Sequence, residues 1–441
     1  MTAIKAALTW VDGRFEKDVV VEVAGPRISR VSRGAEGDDV GVGSGSEDWG
    51  NVALLPGTIN AHGHAFQSLL KGFADDRPFN EWRDEVLYPF SERLDGDAIY
   101  VGALFAFAEV LLAGTTTTVD FFYLHDEGNE NAEQVIRAAN DIGVRLVFAR
   151  AFYDPDAPTS APQRYREDAP VSAQRCIALA RDHEDDPLIS VQPAPHSLHA
   201  ASPETIAAAL EVAEELGTPC HLHLAEAAYE REQIQKRYGT TPVRLLAREG
   251  LLRENLVTIH TVWVDDEELD LLAEARVGVV HCPGANAFLG DGIARVPEML
   301  DRGVRVALGP DGGCANNRQS IFDEMRMATL VAKARLADGG ALDAPTSFGM
   351  GTTIGAELLD VQAGSISEGR LADFVALDLG DLSLQPLKTF DRQLVHSMQQ
   401  TAITKVMVGG EIVVDGGRTT KVEVHDIVRR VNEITSRWDR P

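Results

Sequence analysis

The sequence predicts an α/β fold, a (β/α)₈ barrel with a small β-sandwich domain built from both chain ends. Three observations carry the prediction. Between residues 52 and 310, apolar runs of strand length alternate with amphipathic helical segments, eight repeats over about 250 residues. Four of those runs close on residues of the kind that bind metals, and barrel active sites sit at the carboxyl ends of the strands. Before residue 52 and beyond Gly364 the texture changes to short strands separated by Gly and Asp turns.

Residues 1–56 are expected to form the first part of the sandwich, with strands at 19–23 and 28–31 and a loop over the Gly/Ser/Asp-rich stretch 34–50. The barrel is assigned to 57–363. The apolar run 52–59 reads as one buried strand, and later strands should end near Phe122, Phe152, Pro193, Leu224, His260, His281 and Pro310. Residues 203–216 and 267–275 have helical apolar spacing, as does 321–334 after the last strand. The run 101–114 is interrupted by Glu109 and too short for a bilayer, so it predicts a buried core helix. Strands at 372–377, 406–408 and 411–414 place the second part of the sandwich at 364–423, and 424–441 is read as a closing helix, about 424–438.

Composition narrows the function classes. A hydrophobic fraction of 44% over 441 residues suffices for a large core. The formal charge of −27 argues against nucleic acid and anionic membranes as partners, since both need basic surface. Acidic runs such as Asp38-Asp39 and Glu184-Asp-Asp186 are solvated loops. Cys176, Cys220, Cys282 and Cys314 are widely spaced with no Cys-x-x-Cys, which suits a reducing compartment. Residues 1–20 lack an apolar segment behind a basic one, so no secretory signal is expected and the predicted location is cytoplasmic.

The chemistry concentrates at four strand ends. In Asn60-Ala-His62-Gly-His64 two imidazoles at i and i+2 leave a strand on the same side. His221-Leu-His223-Leu-Ala-Glu226, Thr258-Ile-His260 and Leu308-Gly-Pro-Asp311 close three further runs. A hydrolytic metal site needs neutral imidazoles and a carboxylate, with one position left for water and a proton carrier beside it. His62, His64, His223 and Asp311 supply one such ligand set for a single divalent ion, with Zn²⁺ the natural choice and Fe²⁺ compatible with the same residue types. His221 has the same parity as His223, and the spacing to Glu226 favours the latter. Glu226 would stand above the ion as proton carrier, and His260 would hydrogen-bond the water or a developing oxyanion. His281 reads equally as a substrate contact or a satisfied core residue; Asn286 and Asn316 suit loop turns as well as ligand contacts, and Cys314 reads as a buried inert thiol. His183, His396 and His425 lie away from any strand end and are given no role.

In order and spacing, these residues resemble the amidohydrolase superfamily in its mononuclear deaminase branch, over nearly the whole chain. Leu55-Pro-Gly-Thr-Ile-Asn-Ala-His62, Gly114-Thr-Thr-Thr-Thr, Glu368-Gly-Arg-Leu-Ala-Asp373 and Val408-Gly-Gly-Glu-Ile-Val413 are similar to that superfamily's punctuation. Binuclear members carry a bridging lysine at the end of strand four; Ile189-Ser-Val-Gln-Pro193 has none, which implies one metal. Two subgroups compete. His64-Ala-Phe-Gln67, Phe122-Tyr-Leu-His125, Pro195-His-Ser-Leu198 and Leu289-Gly-Asp-Gly-Ile293 resemble N-formimino-L-glutamate deiminases. His281-Cys-Pro283, Leu308-Gly-Pro-Asp-Gly-Gly-Cys-Ala-Asn-Asn317 and Phe322-Asp-Glu-Met-Arg326 are more similar to adenosine-type and chlorotriazine-type aminohydrolases.

Carried over from the deiminases, the resemblance implies substrate contacts from Gln67, Tyr123, His196 and Arg83. Where that family has an arginine, this chain has His199, and replacing a bidentate guanidinium by an imidazole weakens carboxylate recognition. The implied activity is a formiminoglutamate-deiminase-like hydrolytic deamination. Glu226 and Asp311 assist attack of water on the C=N carbon of an amidine, guanidine or amino-heterocycle, and ammonia is released. A triazine-type hydrolase expelling chloride or an alkylamine is the alternative within the enzyme class, and a non-catalytic barrel scaffold the alternative outside it. The expected partner is a small-molecule substrate. Barrel enzymes of this kind are often homodimers, although no stretch of the sequence maps an interface.

Overall fold

The apolar run starting at Val52 divides at Gly57, and that division organises the molecule. In the computed structural model, which describes residues 2–34, 46–73 and 75–438, Val52–Pro56 pairs antiparallel with Phe374–Asp378, whereas Thr58–Asn60 pairs parallel with Thr115–Phe122. The single strand expected over 52–59 is therefore two strands in two sheets. A side chain at Gly57 would bring a Cβ within 2.2 Å of the Thr116 side chain, so the crossover requires glycine.

Eight strands form the barrel: Thr58–Asn60, Thr115–Phe122, Arg145–Phe152, Ile189–Pro195, Cys220–Leu224, Leu256–His260, Gly278–His281 and Val306–Leu308. They run as two parallel arcs of four. The arcs meet between strands four and five through the parallel bridge of Ser197 with His223. Strands eight and one meet where Ala61 N donates to Leu308 O at 3.0 Å. Nearly all strand residues are buried, as expected of a parallel sheet covered by helices, and so they read as continuous apolar runs. The predicted helix at 203–216 is Pro203–Leu216, capped by Ser202, and those at 267–275 and 321–334 are Asp266–Glu274 and Ile321–Leu336. The core helix is Gly96–Leu112, its first turn held by Asp95 Oδ1, which accepts from Ala98 N at 2.9 Å. Among the described residues no helix is long and apolar enough to cross a membrane.

The terminal segments make two further sheets. One has the order Arg27–Arg33, Val19–Ala24, Thr2–Lys5, Ser46–Asp48. The other has seven strands, with Ile403–Val408, Phe374–Asp378, Val52–Pro56 and Leu8–Val11 at its centre. Ile4, Val19 and Val21 from the first bury with Leu54, Phe374 and Met407 from the second in one apolar cluster. The loop expected over 34–50 is corrected at Ser46–Asp48, an edge strand parallel to Thr2–Lys5. Residues 35–45, including Asp38-Asp39, lie outside the described residues. The closing helix is Val424–Thr435, shorter than predicted, and Trp438 beyond it packs edge-on against Phe90 at 5.3 Å.

Two buried ion pairs brace the third barrel strand. Arg145 donates to both oxygens of Asp373, through Nε at 3.0 Å and Nη2 at 3.1 Å, tying the barrel to the sandwich. Arg150, fully buried, donates to Glu167 through Nη1 at 2.9 Å and to Asn129 through Nε at 3.0 Å; Arg175 and Ser172 also donate to Glu167. Burial works against the Glu167 carboxylate, but the arginine hydrogen bonds prevail and hold its pKa down at about 2. Glu167→Gln leaves the Arg150 charge buried without its partner and is expected to cost about 3–5 kcal/mol, measured by urea denaturation at pH 7. The native pKa lies below the ordinary carboxylate value, so this stabilisation is complete above pH 4.5 and lost as pH falls toward 2. The gap between variant and parent should therefore close over that interval.

Candidate active site

Beyond strand one, Gly63–His64 forms a short parallel pair with Asp311–Gly312, so the residues following strands one and eight are zipped together. Asn60 shapes the turn: its Oδ1 accepts from His62 N at 3.0 Å, and its Nδ2 donates to Thr118 Oγ1 at 2.9 Å. At Gly309 a Cβ would lie 2.8 Å from His62 O, so only glycine lets the two segments approach this closely. Asp311 has φ +66°, a left-handed conformation rare for a residue with a side chain. The result is that Asp311 Oδ1 lies 3.3 Å from His62 Nε2 and 3.4 Å from His64 Nε2. His223 Nε2 is 3.3 Å from His62 Nε2. His62, His64 and His223 form one buried cluster of convergent donor atoms, and His62, His260 and Asp311 a second sharing His62.

The donor set fits a divalent transition metal. His64 Nδ1 donates to Phe121 O at 2.6 Å and His223 Nδ1 to His196 O at 2.8 Å, which places the proton on Nδ1 and leaves Nε2 of each ring with its lone pair inward. Burial first, then the neighbouring imidazoles, lowers the pKa values of His62 and His64; for His223 burial outweighs the opposing pull of Asp311. All three rings are thus neutral, the form that ligates. Facing lone pairs at 3.3 Å would repel in an empty site, but tetrahedral ligand nitrogens at zinc distances are about 3.3–3.4 Å apart. His221 is placed elsewhere: its Nε2 meets Gln192 Oε1 at 2.7 Å.

Glu226 and His260 stand next to the cluster. Ala225, His260 and Thr261 all have positive φ, +51°, +68° and +49°, so the chain bends sharply after strands five and six, where these two side chains enter. His260 Nε2 is 3.4 Å from Glu226 Oε1 and 3.9 Å from Asp311 Oδ2. Burial, with Asp291, Asp311 and Glu230 adding to it, pushes the Glu226 carboxyl well above the usual carboxylate range. A carboxyl so placed can hold a proton near neutral pH.

Above these groups lies a narrow cavity of about 50 Å³. Gln67, Arg83, Tyr123, His196 and His199 all line it, together with His64, His223, Glu226, His260 and Asp311. Gln67 Nε2 donates to Tyr123 Oη at 2.9 Å, and the Cys314 thiol donates to Gln67 Oε1 at 3.3 Å. Arg83 is held by Asp84 through two bonds of 2.8 and 2.9 Å, its guanidinium among the rings of Phe79, Tyr88 and Tyr229. His199 Nδ1 shares Ser197 Oγ with His196 Nδ1, at 3.1 and 3.0 Å.

Sequence reasoning passed over the aromatic wall of Phe79, Trp82, Tyr88 and Tyr165. Three of the four, Phe79, Trp82 and Tyr88, cluster between residues 79 and 88, a readable signal, but helical or loop packing gives the same pattern. It also left Asn286 open, whose Nδ2 is 3.1 Å from His260 Nδ1. Asn316 is engaged by Pro310 O and Glu324, and His183 by Glu133, both away from the cavity lining.

The pattern of the amidohydrolase family matches residues 53–413. A 5-methylthioadenosine/S-adenosylhomocysteine deaminase from Syntrophobacter fumaroxidans is 35% identical over 393 residues, 88% of this chain and 86% of that protein. A 5'-deoxyadenosine deaminase from Methanothermobacter thermautotrophicus is 33% identical over 370 residues, 84% of each. An adenosine deaminase from Xanthomonas campestris, solved with bound zinc, superposes with a TM-score of 0.91 at 28% identity, over 99% of this chain and 98% of that one. The atrazine chlorohydrolase of Arthrobacter aurescens, complexed with zinc, has a TM-score of 0.89 at 23% identity over 98% and 100%, a likeness of fold alone.

Proposed function

Because the chain belongs to the amidohydrolase family, we propose that its site is a mononuclear metal centre that deaminates a purine-type amino-heterocycle, turning a ring C–NH₂ into C=O and releasing ammonia. The broader class is plain: this is a hydrolase of carbon–nitrogen bonds other than peptide bonds, as are the named relatives that span 84% or more of it. The observation that carries the reading is the meeting of three imidazole Nε2 atoms and Asp311 beside a second carboxylate, Glu226, at an aromatic-lined cavity.

His62, His64, His223 and Asp311 would hold the ion, Zn²⁺ by preference for a nitrogen-rich set. When bound, it supplies Lewis acidity and lowers the pKa of water. Glu226 takes a proton from the attacking water and delivers it to the ring nitrogen beside the reacting carbon. His260 Nε2 steadies the oxygen as it adds. Asp311 takes the second proton from the added hydroxyl and passes it to the amino group, which leaves as ammonia as the ring C=O forms. Gln67, Tyr123 and His196 orient the edge of the heterocycle, and the aromatic wall covers its faces. Arg83 and His199 meet the substituent.

This reading departs from formiminoglutamate as the substrate. The relatives are named for adenosine derivatives, and burial, with Arg83 adding to it, holds His199 down to about 3. His199 is therefore uncharged at neutral pH and cannot replace an arginine opposite a carboxylate.

The test is ammonia and chloride release by zinc-loaded protein over a panel of adenosine, 5'-deoxyadenosine, other aminopurines, formiminoglutamate and atrazine. Ammonia is expected from at least one aminopurine, with no turnover of formiminoglutamate and no chloride. Turnover by metal-free protein, or chloride release without ammonia, would refute the reading.

A further inference from the structure

We propose that Asn286, oriented by Asp291, is a positioning residue that fixes His260 as the Nε2–H tautomer, so that His260 enters the site as a hydrogen-bond donor. The inference rests on the role given to His260 above.

Asn286 lies in the helix Pro283–Leu289 after strand seven, buried, with Nδ2 3.1 Å from His260 Nδ1. An amide N–H can only donate, so that ring nitrogen must be the acceptor, and the ring proton then sits on Nε2. His260 Nε2 is the atom aimed at Glu226 Oε1.

Amide orientation is selected by the surroundings. Asp291 is tied back to the same residue, its N–H donating to Asn286 O at 2.9 Å, and its carboxylate faces the Asn286 amide, whose N–H works against the upward push of burial. Burial raises the Asp291 carboxyl to about 7, and against its ionised form a reversed amide would set oxygen against oxygen. It would also leave N–H groups where Asn286 Oδ1 now has no partner, and an orphaned donor costs more than an under-used carbonyl. Asp291 Oδ2 is itself buried with no hydrogen-bond partner among the described residues. The chain Asp291, Asn286, His260 therefore transmits one orientation to the reacting face.

Protein labelled with ¹⁵N-histidine, with a His260→Gln spectrum to assign the resonance, reports the tautomer directly, with and without Zn²⁺. The expected result is a neutral His260 protonated at Nε2. Asn286→Leu should shift that proton wholly or partly to Nδ1 and lower kcat roughly 10–100-fold, with KM within twofold and zinc content unchanged. Should Asn286→Leu fail to fold, Asp291→Asn removes the acceptor that selects the amide orientation and should give mixed tautomers. A proton on Nδ1 in the parent protein overturns the proposal, as does a folded Asn286→Leu variant with unaltered tautomer and kcat. Absence of ammonia release from the whole panel would instead sink the functional reading and leave the tautomer measurement valid.

Discussion

Glu226→Gln is expected to lower kcat by about 10³-fold, within the range for loss of a general acid–base, while zinc content and KM stay within a few-fold of the parent. The amide keeps the volume of the carboxyl and can still accept near His260, but it cannot take up and release a proton. The backbone at this point is held independently of the side chain, since Glu226 N donates to Glu230 Oε2 at 3.0 Å. Steady-state kinetics with metal analysis on the same preparation separates proton transfer from metal loss. A fall of less than tenfold would mean that the proton travels by another group.

Removing a ligand should act through the metal instead. His223→Ala deletes one of three converging imidazoles, while His196 O keeps the backbone N–H of residue 223 as a donor at 3.1 Å. Zinc should drop below roughly one-tenth of an ion per chain, and activity should fall by about 10⁴-fold or more, because the nucleophile is no longer available at neutral pH. His221→Ala is the matched control, two residues earlier on the same strand but bonded to Gln192. It should retain its zinc, and equal metal loss in both variants would undo the ligand assignment.

The parts of this molecule that were legible in the sequence share a physical cause. Barrel strands are short, buried on both faces and bounded by turns, so they stand out as apolar runs. The residues at their ends are of types that burial disfavours unless they have work to do, and so His62, His64, His223, Glu226, His260 and Asp311 could be picked out before any fold was known. Gly57 was not legible as a crossover, because both halves of its run are apolar and periodicity does not mark a change of sheet. Ser46–Asp48 is a polar edge strand with no apolar signature. Asn286 was ambiguous because its partner is 26 residues away, and a buried amide reads like any turn residue until the fold brings the two together. Substrate identity was blurred because motifs of two subgroups coexist, and the charge state of His199 depends on burial.

The crossover at Gly57 means that the outer β layer is no detachable accessory. The same short segment that staples Phe374–Asp378 ends six residues before His62, and its far side is anchored again by Arg145 and Asp373. Trimming the terminal sheets to obtain a minimal catalytic core would slacken the first ligand's own tether, so miniaturisation of this enzyme has to start from the helices instead.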